Sequence, residues 1–318
     1  MRIAATAKGG NRTHSYRIDR TAVARDGRRW AGTAYDGAVV WDGDKRVREI
    51  PPGQSSWIPH EVELADDGNT LLAGLMRIDL TTGAVSPLAE AGSAIERSGN
   101  NEVTAVAWPP DGAVVLVGSH YRPSACCRDR GDNRPHADDR VLLLDGKTGA
   151  LVRDLAPAPG FTHAVAASRA QLVAITRDGL TAWDRATLTA TTRKEPRTGG
   201  RPVFDPSGRW LATTEQGEIT LWRMPDFCPV ARFGNEKPFV HAIAFHPSAP
   251  VLFAATDHTV HAYAIDRPGE ELGAAEVTGG SPAIEQTIDS LAVTGDGTRL
   301  VVPVYFGDDV LFFDVTPP

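Results

Sequence analysis

Residues 202–223 read PVFDPSGRWLATTEQGEITLWR, and this stretch has the pattern of three short β-strands in succession. The first strand ends at Phe204, and the Asp-Pro-Ser-Gly that follows is typical of a tight turn, because proline fixes φ and glycine accepts positive φ. Residues 210–214 form the second predicted strand. A Gln-Gly pair turns the chain again, and residues 218–222 alternate polar and apolar side chains as a half-buried strand does. The stretch therefore predicts a small antiparallel unit.

Similar units recur along the whole chain. The glycine of the first turn, or the residue that replaces it, stands at positions 27, 68, 112, 170, 208, 249 and 297. Apart from one insertion the period is about 40 residues, which is typical of a propeller blade of four strands. One unit is too small to bury its own apolar face, so we expect all seven to pack together as a single domain over residues 1–318.

Four of the predicted third strands close on an aromatic residue followed by a charged one. These pairs are Trp41-Asp42, Trp183-Asp184, Trp222-Arg223 and Phe313-Asp314. On these pairs, with their turns and spacing, the chain resembles the WD40-repeat family over essentially its whole length. The resemblance implies an all-β, seven-bladed β-propeller that acts as a non-catalytic scaffold and binds a peptide or protein partner.

The last unit has only three predicted strands before the sequence stops at Pro318. Residues 1–7 precede the first unit and alternate as a strand does. A strand edge without a partner exposes unpaired N–H and C=O groups. We therefore predict that the N-terminal strand pairs with the last blade and closes the ring.

The composition bears on partners and compartment. The net charge of −7 and the pI near 5.7 argue against a sequence-independent grip on nucleic acid or on an anionic membrane. There is no apolar run of about 20 residues and no apolar core of a signal peptide near Met1. Three cysteines give no disulfide framework. We expect a cytoplasmic monomer.

Polar residues recur at one position near the start of the first strand of each blade. Aligned on the last core residue of that strand, the seven blades carry Asp19, His60, Thr104, His163, Gly200, His241 and Asp289. The innermost strands of a propeller line its central channel. The candidate ligand- or partner-binding residues at this end of the channel are Asp19, Trp57, His60, Phe161, His163, Arg201, Phe239, His241 and Asp289.

Two alternatives to partner binding stay open at this position. Duplicated repeats can inherit one residue type for packing alone. Imidazole and carboxylate groups also suit several divalent ions, but blades two, four and six are not neighbours, so three histidines would stand far apart for one ion.

A second candidate is the insertion at residues 121–138, between the second and third strands of blade three. That connection faces the same side as the strand entrances, and long loops on a rigid scaffold often carry binding. Cys126, Cys127 and His136 could bind a soft metal, although adjacent cysteines do not match the usual spacing of zinc ligands. A solvated loop is the alternative, and we expect no metal and no other cofactor.

Catalysis has little support, because the chain lacks the common nucleophile, zinc-protease and phosphate-loop motifs, and no catalytic residue is assigned. The competing hypothesis is a propeller enzyme of the lactonase or sugar-lactone type, which such folds resemble, with a calcium ion in the channel. Its nearest candidate ligands are Asp19, Asn101, Glu102, Glu285 and Asp289. They do not form a clear matching set.

Overall fold

The computed structural model describes most of the chain. The described ranges are 1–9, 18–24, 28–34, 37–43, 45–50, 62–65, 68–73, 76–88, 101–109, 111–121, 140–155, 162–176, 179–193, 200–215, 217–234, 239–277, 288, 290–303 and 310–316. Within them, only the backbone is described at 4–9, 18–20, 33, 34, 37, 101–104 and 119–121.

The regular structure of the described residues consists of β-strands. In chain order the strands are β1 (Arg2–Gly9), β2 (Ile18–Val23), β3 (Arg29–Ala34), β4 (Gly37–Asp42), β5 (Lys45–Ile50), β6 (Val62–Leu64), β7 (Thr70–Ala73), β8 (Met76–Asp79), β9 (Val85–Pro87), β10 (Asn101–Ala107), β11 (Val114–Tyr121), β12 (Arg140–Asp145), β13 (Leu151–Asp154), β14 (Thr162–Ala167), β15 (Gln171–Thr176), β16 (Gly179–Asp184), β17 (Ala190–Arg193), β18 (Val203–Phe204), β19 (Trp210–Glu215), β20 (Glu218–Arg223), β21 (Cys228–Gly234), β22 (Ala242–Phe245), β23 (Val251–Ala255), β24 (Thr259–Ala264), β25 (Glu271–Glu276), β26 (Ala292–Val293), β27 (Arg299–Pro303) and β28 (Val310–Thr316). No helix of the described residues is long and apolar enough to cross a bilayer.

The strands form seven antiparallel sheets of four, which are the blades of a propeller. Blades 1 to 6 are β2–β5, β6–β9, β10–β13, β14–β17, β18–β21 and β22–β25, each paired in sequence order. The innermost strand of each blade contacts the innermost strand of the next, and β26 of blade 7 returns to β2 of blade 1. The seven innermost strands therefore ring a central channel, as the sequence predicted.

Blade 7 is completed by the start of the chain. Its sheet runs β1-β28-β27-β26, so the N-terminal strand is the outermost one. The antiparallel register pairs Arg2 with Thr316 and Gly9 with Val310. Met1 and Ile3 also pack against the apolar cluster between blades 6 and 7. The predicted closure of the ring by the N-terminal strand is confirmed.

The hydrophobic core is divided among the interfaces between blades. Each buried cluster combines side chains from two adjacent blades, so that Trp222 of blade 5, for example, packs with Val173 and Ile175 of blade 4. Trp183 lies in the same way between blades 3 and 4, and Trp41 between blades 7 and 1. Each blade is covered by a neighbour on both faces, which explains why the closing aromatic residues are buried.

This double cover changes one expectation. The alternation over residues 218–222 predicted a strand with one solvated face, yet β20 is buried along residues 219–222, including Thr220 at 7% exposure. The neighbouring blades cover both faces of a middle strand, and the buried polar residue of this strand is a threonine whose methyl group packs well.

Candidate functional site

The channel mouth is defined here as the end of the channel where the innermost strands begin. Because strands in a blade alternate in direction, the turn between the second and third strands lies at the same end. The turns that leave the innermost strands lie at the opposite end. The candidate residues near strand starts therefore belong to the mouth.

A β-bulge marks the position that the sequence alignment singled out. In blades 1, 3 and 4 the pairing of the first two strands shifts by one residue at Asp19, Thr104 and His163. In blade 5 the N–H of Gly200 donates to Thr214 O at 3.1 Å, and in blade 6 the N–H of His241 donates to Ala255 O at 2.9 Å. Two residues thus face one across the strands, and bulges of this kind redirect a side chain at a strand end.

The described members of the candidate set occupy three consecutive blades. His163 of blade 4 is exposed. Arg201 of blade 5 lies one residue after the bulge position, and 29% of its side chain is exposed. In blade 6, Phe239 is 46% exposed and His241 follows two residues later. These four residues bring imidazole, guanidinium and aromatic groups to one side of the mouth.

His241 is held by an acidic residue that the sequence analysis did not single out. Its Nε2 donates to Asp257 Oδ1 at 2.6 Å. Asp257 lies in the turn between β23 and β24, which reaches the mouth from the second strand of the same blade. An Asp-His pair at a turn next to a strand start was a weak signal in the sequence, because the two residues are 16 positions apart.

Arg201 makes an ion pair across the channel. Its guanidinium donates to Oε1 of Glu63, which lies in β6 of blade 2. Blade 2 and blade 5 stand on opposite sides of a seven-bladed ring, so the two side chains meet over the channel. Arg201 was predicted from the sequence as a binding residue and Glu63 was not, since nothing in the spacing of the two residues predicts that they meet.

The other candidate residues give no side-chain geometry. Trp57, His60, Phe161 and Asp289 lie outside the described residues, and at Asp19 only the backbone is described. The same holds for the metal candidates: Cys126, Cys127 and His136 fall in the part of the insertion that is not described.

The candidate ligands of the calcium-dependent enzyme likewise have no described side chains. Glu285 lies outside the described residues, and Asn101 and Glu102 are described as backbone of β10 only. Among the side chains that the structure describes, no group of three His, Cys, Asp or Glu residues is placed to hold a metal ion.

The opposite end of the channel uses its charged groups differently. Arg29 of blade 1 donates to Gly68 O of blade 2 at 2.8 Å, and Arg185 of blade 4 donates to Asp111 of blade 3 at 2.7 Å. These arginines join neighbouring blades at their turns. These contacts between blades give both arginines a structural role.

A comparison with family models matches two segments of the chain. The model of the WD domain, G-beta repeat (WD40) matches residues 94–122 and 227–263. The second segment begins in the outer strand of blade 5 and ends in the third strand of blade 6, so the sequence repeat is one strand out of phase with the blade. The first covers the two inner strands of blade 3. No curated protein matches the chain. The two matched repeats and the seven-bladed ring closed by β1 together support a β-propeller of the WD40-repeat type.

Proposed function

We propose that this propeller is a non-catalytic scaffold that binds a peptide or protein partner at the channel mouth. WD40 propellers generally bind protein partners, but fold alone does not say where or what they bind. The observation that carries the proposal is the side of the mouth formed by blades 4 to 6. There His163 and His241 stand at corresponding positions, marked by a bulge or its equivalent hydrogen bond, and Arg201 and Phe239 lie within two residues of the same position.

Two physical arguments support this location. His163 stands in β14, and Arg201, Phe239 and His241 lie within three residues of the start of β18 or β22, so the closed ring positions the site and partner binding needs little ordering. Phe239 offers an apolar anchor beside the polar His241, and aromatic residues next to polar groups are typical of interface centres. At the other end, by contrast, the described arginines Arg29 and Arg185 already join blades.

The test is a double variant, His163→Ala with His241→Ala. Tagged wild-type and variant proteins are incubated with lysate of the native host, and the retained proteins are quantified by mass spectrometry. We expect proteins retained by the wild type to be lost from the variant, while the free energy of unfolding changes by about 0.5 kcal/mol or less per site, as is usual for exposed polar positions.

The matched control is His261→Ala. His261 is also in blade 6 and also pairs with a carboxylate, Glu271, at 3.3 Å, but it lies in the third strand, away from the channel. Retention should be the same as for the wild type. If the double variant retains the same proteins as the wild type, the mouth is not the binding face.

A further inference from the structure

Of the two charges that meet over the channel, Glu63 stands at a position where all the other blades carry small apolar side chains. Glu63 lies one residue before the end of its innermost strand, and the described equivalents are Ala22, Ala107, Ala166, Val203, Ala244 and Ala292. Arg201 lies three residues before the end, where blades 1 and 2 also carry charged residues, Arg20 and Glu61, and the other blades carry Ala105, Ala164, Ala242 and Ser290. Every other blade carries alanine or valine at the position of Glu63, so the repeat does not explain the charge of Glu63.

The described contacts of Arg201 and His241 show what these two hydrogen-bond donors bind. Arg201 holds the carboxylate of Glu63, and His241 holds the carboxylate of Asp257. A guanidinium matches a carboxylate through a planar fork of N–H donors, which makes this pairing geometrically selective. Within the chain, both side chains therefore donate a hydrogen bond to a carboxylate.

The pair between Arg201 and Glu63 is open to exchange. The side chains are 29% and 26% exposed, so water reaches both. Partly exposed ion pairs contribute little net free energy, because two long side chains must be ordered and solvent screens their attraction. A carboxylate from outside could therefore replace that of Glu63 at a small net cost.

Building on the proposed function, we propose that Arg201 binds a carboxylate of an acidic peptide segment in the partner, and that Glu63 occupies this position while no partner is bound. The incoming carboxylate takes the guanidinium, and the Glu63 side chain turns away along the channel wall because two carboxylates repel each other. Glu63 is thus an internal competitor that weakens binding, and Arg201 is the residue that selects for acidic partners.

The test measures fluorescence anisotropy with a labelled oligoglutamate peptide and an oligoglutamine peptide of equal length. We expect Glu63→Gln to bind oligoglutamate more tightly than the wild type, by up to about fivefold, which corresponds to the upper end for an exposed ion pair. Arg201→Gln should reduce oligoglutamate binding to the level of oligoglutamine. In the double variant, Glu63→Gln should give no gain.

Two controls separate a local effect from net charge. Glu271→Gln removes a carboxylate on the outer strand of blade 6, and Arg267→Gln removes an exposed arginine at the opposite end of that blade. Both should bind oligoglutamate as the wild type does. Melting curves establish that each variant is folded, and if Arg201→Gln does not fold, Glu63→Gln against Glu271→Gln decides the matter.

Equal binding by Glu63→Gln and the wild type, or an equal gain in Glu271→Gln, would overturn the inference. This result is distinguishable from a failure of the proposed function. If the histidine double variant loses its native partner but Glu63→Gln gains nothing, the mouth binds a partner of another chemistry, and only the carboxylate inference fails.

Discussion

Trp222 shows what a single closing residue does in this fold. It is 1% exposed, lies in the cluster between blades 4 and 5, and packs against Phe227 with ring centroids 5.2 Å apart. Its Nε1 donates to the buried Thr213 Oγ1 at 3.0 Å, so the indole leaves no unsatisfied donor. The sequence predicted the burial of this ring, whereas the hydroxyl partner followed only from the strand register.

Replacing Trp222 by alanine should destabilise the protein by about 3–5 kcal/mol, the usual range for truncating a buried aromatic side chain. The measurement is unfolding by denaturant. Trp222→Phe serves as the control, because it keeps an aromatic ring and loses mainly the bond to Thr213, so its loss should be smaller. A loss below about 1 kcal/mol for the alanine variant would contradict the packing described here.

His246 is a buried residue that joins two blades. Its Nδ1 accepts the N–H groups of Ser248 at 3.1 Å and Ala249 at 2.8 Å, and its Nε2 donates to Gly297 O of blade 7 at 3.1 Å. The ring lies so close to Gly297 that a Cβ there would stand 2.3 Å from its Cε1. Burial lowers the pKa of His246, although Gly297 O and the carboxylate of Asp296 oppose this shift.

The lowered pKa of His246 determines how the stability of the protein changes with pH. The pKa of His246 is lower in the folded protein than the ordinary value near 6.5, so the unfolded chain binds the proton first. We expect the contribution of His246 to be complete above about pH 6.5 and to be lost as the pH falls towards the folded pKa. The free energy of unfolding should decrease over this range.

The measurement compares denaturant unfolding at about pH 7.5 and about pH 5.5 for the wild type and for His246→Asn. Asparagine can still accept from the turn N–H groups but does not titrate. The variant should lose less stability on acidification than the wild type, and the other histidines cancel in the comparison. Equal losses would show that His246 does not carry the pH dependence.

In blades 2, 3 and 4, the aspartate that ends the third strand caps the turn to the fourth strand. Asp79, Asp145 and Asp184 each accept the N–H groups two and three residues further on, in the turn to the fourth strand. These hydrogen bonds, the strongest from the N–H of a threonine, lower the pKa of each carboxyl group. In blade 4 the Trp183-Asp184 pair thus combines an inter-blade contact with a turn cap.

Deleting Met1–Ala7 should lower the melting temperature or cause aggregation. The deletion removes most of β1, so it exposes the edge of β28 and uncovers part of the cluster between blades 6 and 7. The measurement is thermal unfolding with light scattering. As a control, a synthetic peptide of residues 1–9 added to the truncated protein should restore part of the lost stability. A truncated protein that melts like the full chain would contradict the closure.

For the molecule as a whole, the sequence predicted the seven blades but not which side chains bind Arg201 and His241. Turn glycines, closing aromatic residues and their spacing are local features that every blade repeats, and they predicted seven blades and their closure. Glu63 and Asp257 could not be predicted as partners of Arg201 and His241. The first of these contacts spans the channel and exists only because the ring brings blades 2 and 5 face to face.

The shared last blade also sets the order of events when the chain is made. β1 leaves the ribosome first, but its partner β28 is made last, after all six other blades. Six blades can form from neighbouring strands, whereas the seventh must wait for the two most distant strands of the ring to meet. Closing so long a loop is slow. Until then β1 lacks its partner strand, and the nascent protein is an open arc whose unpaired strand edges favour aggregation.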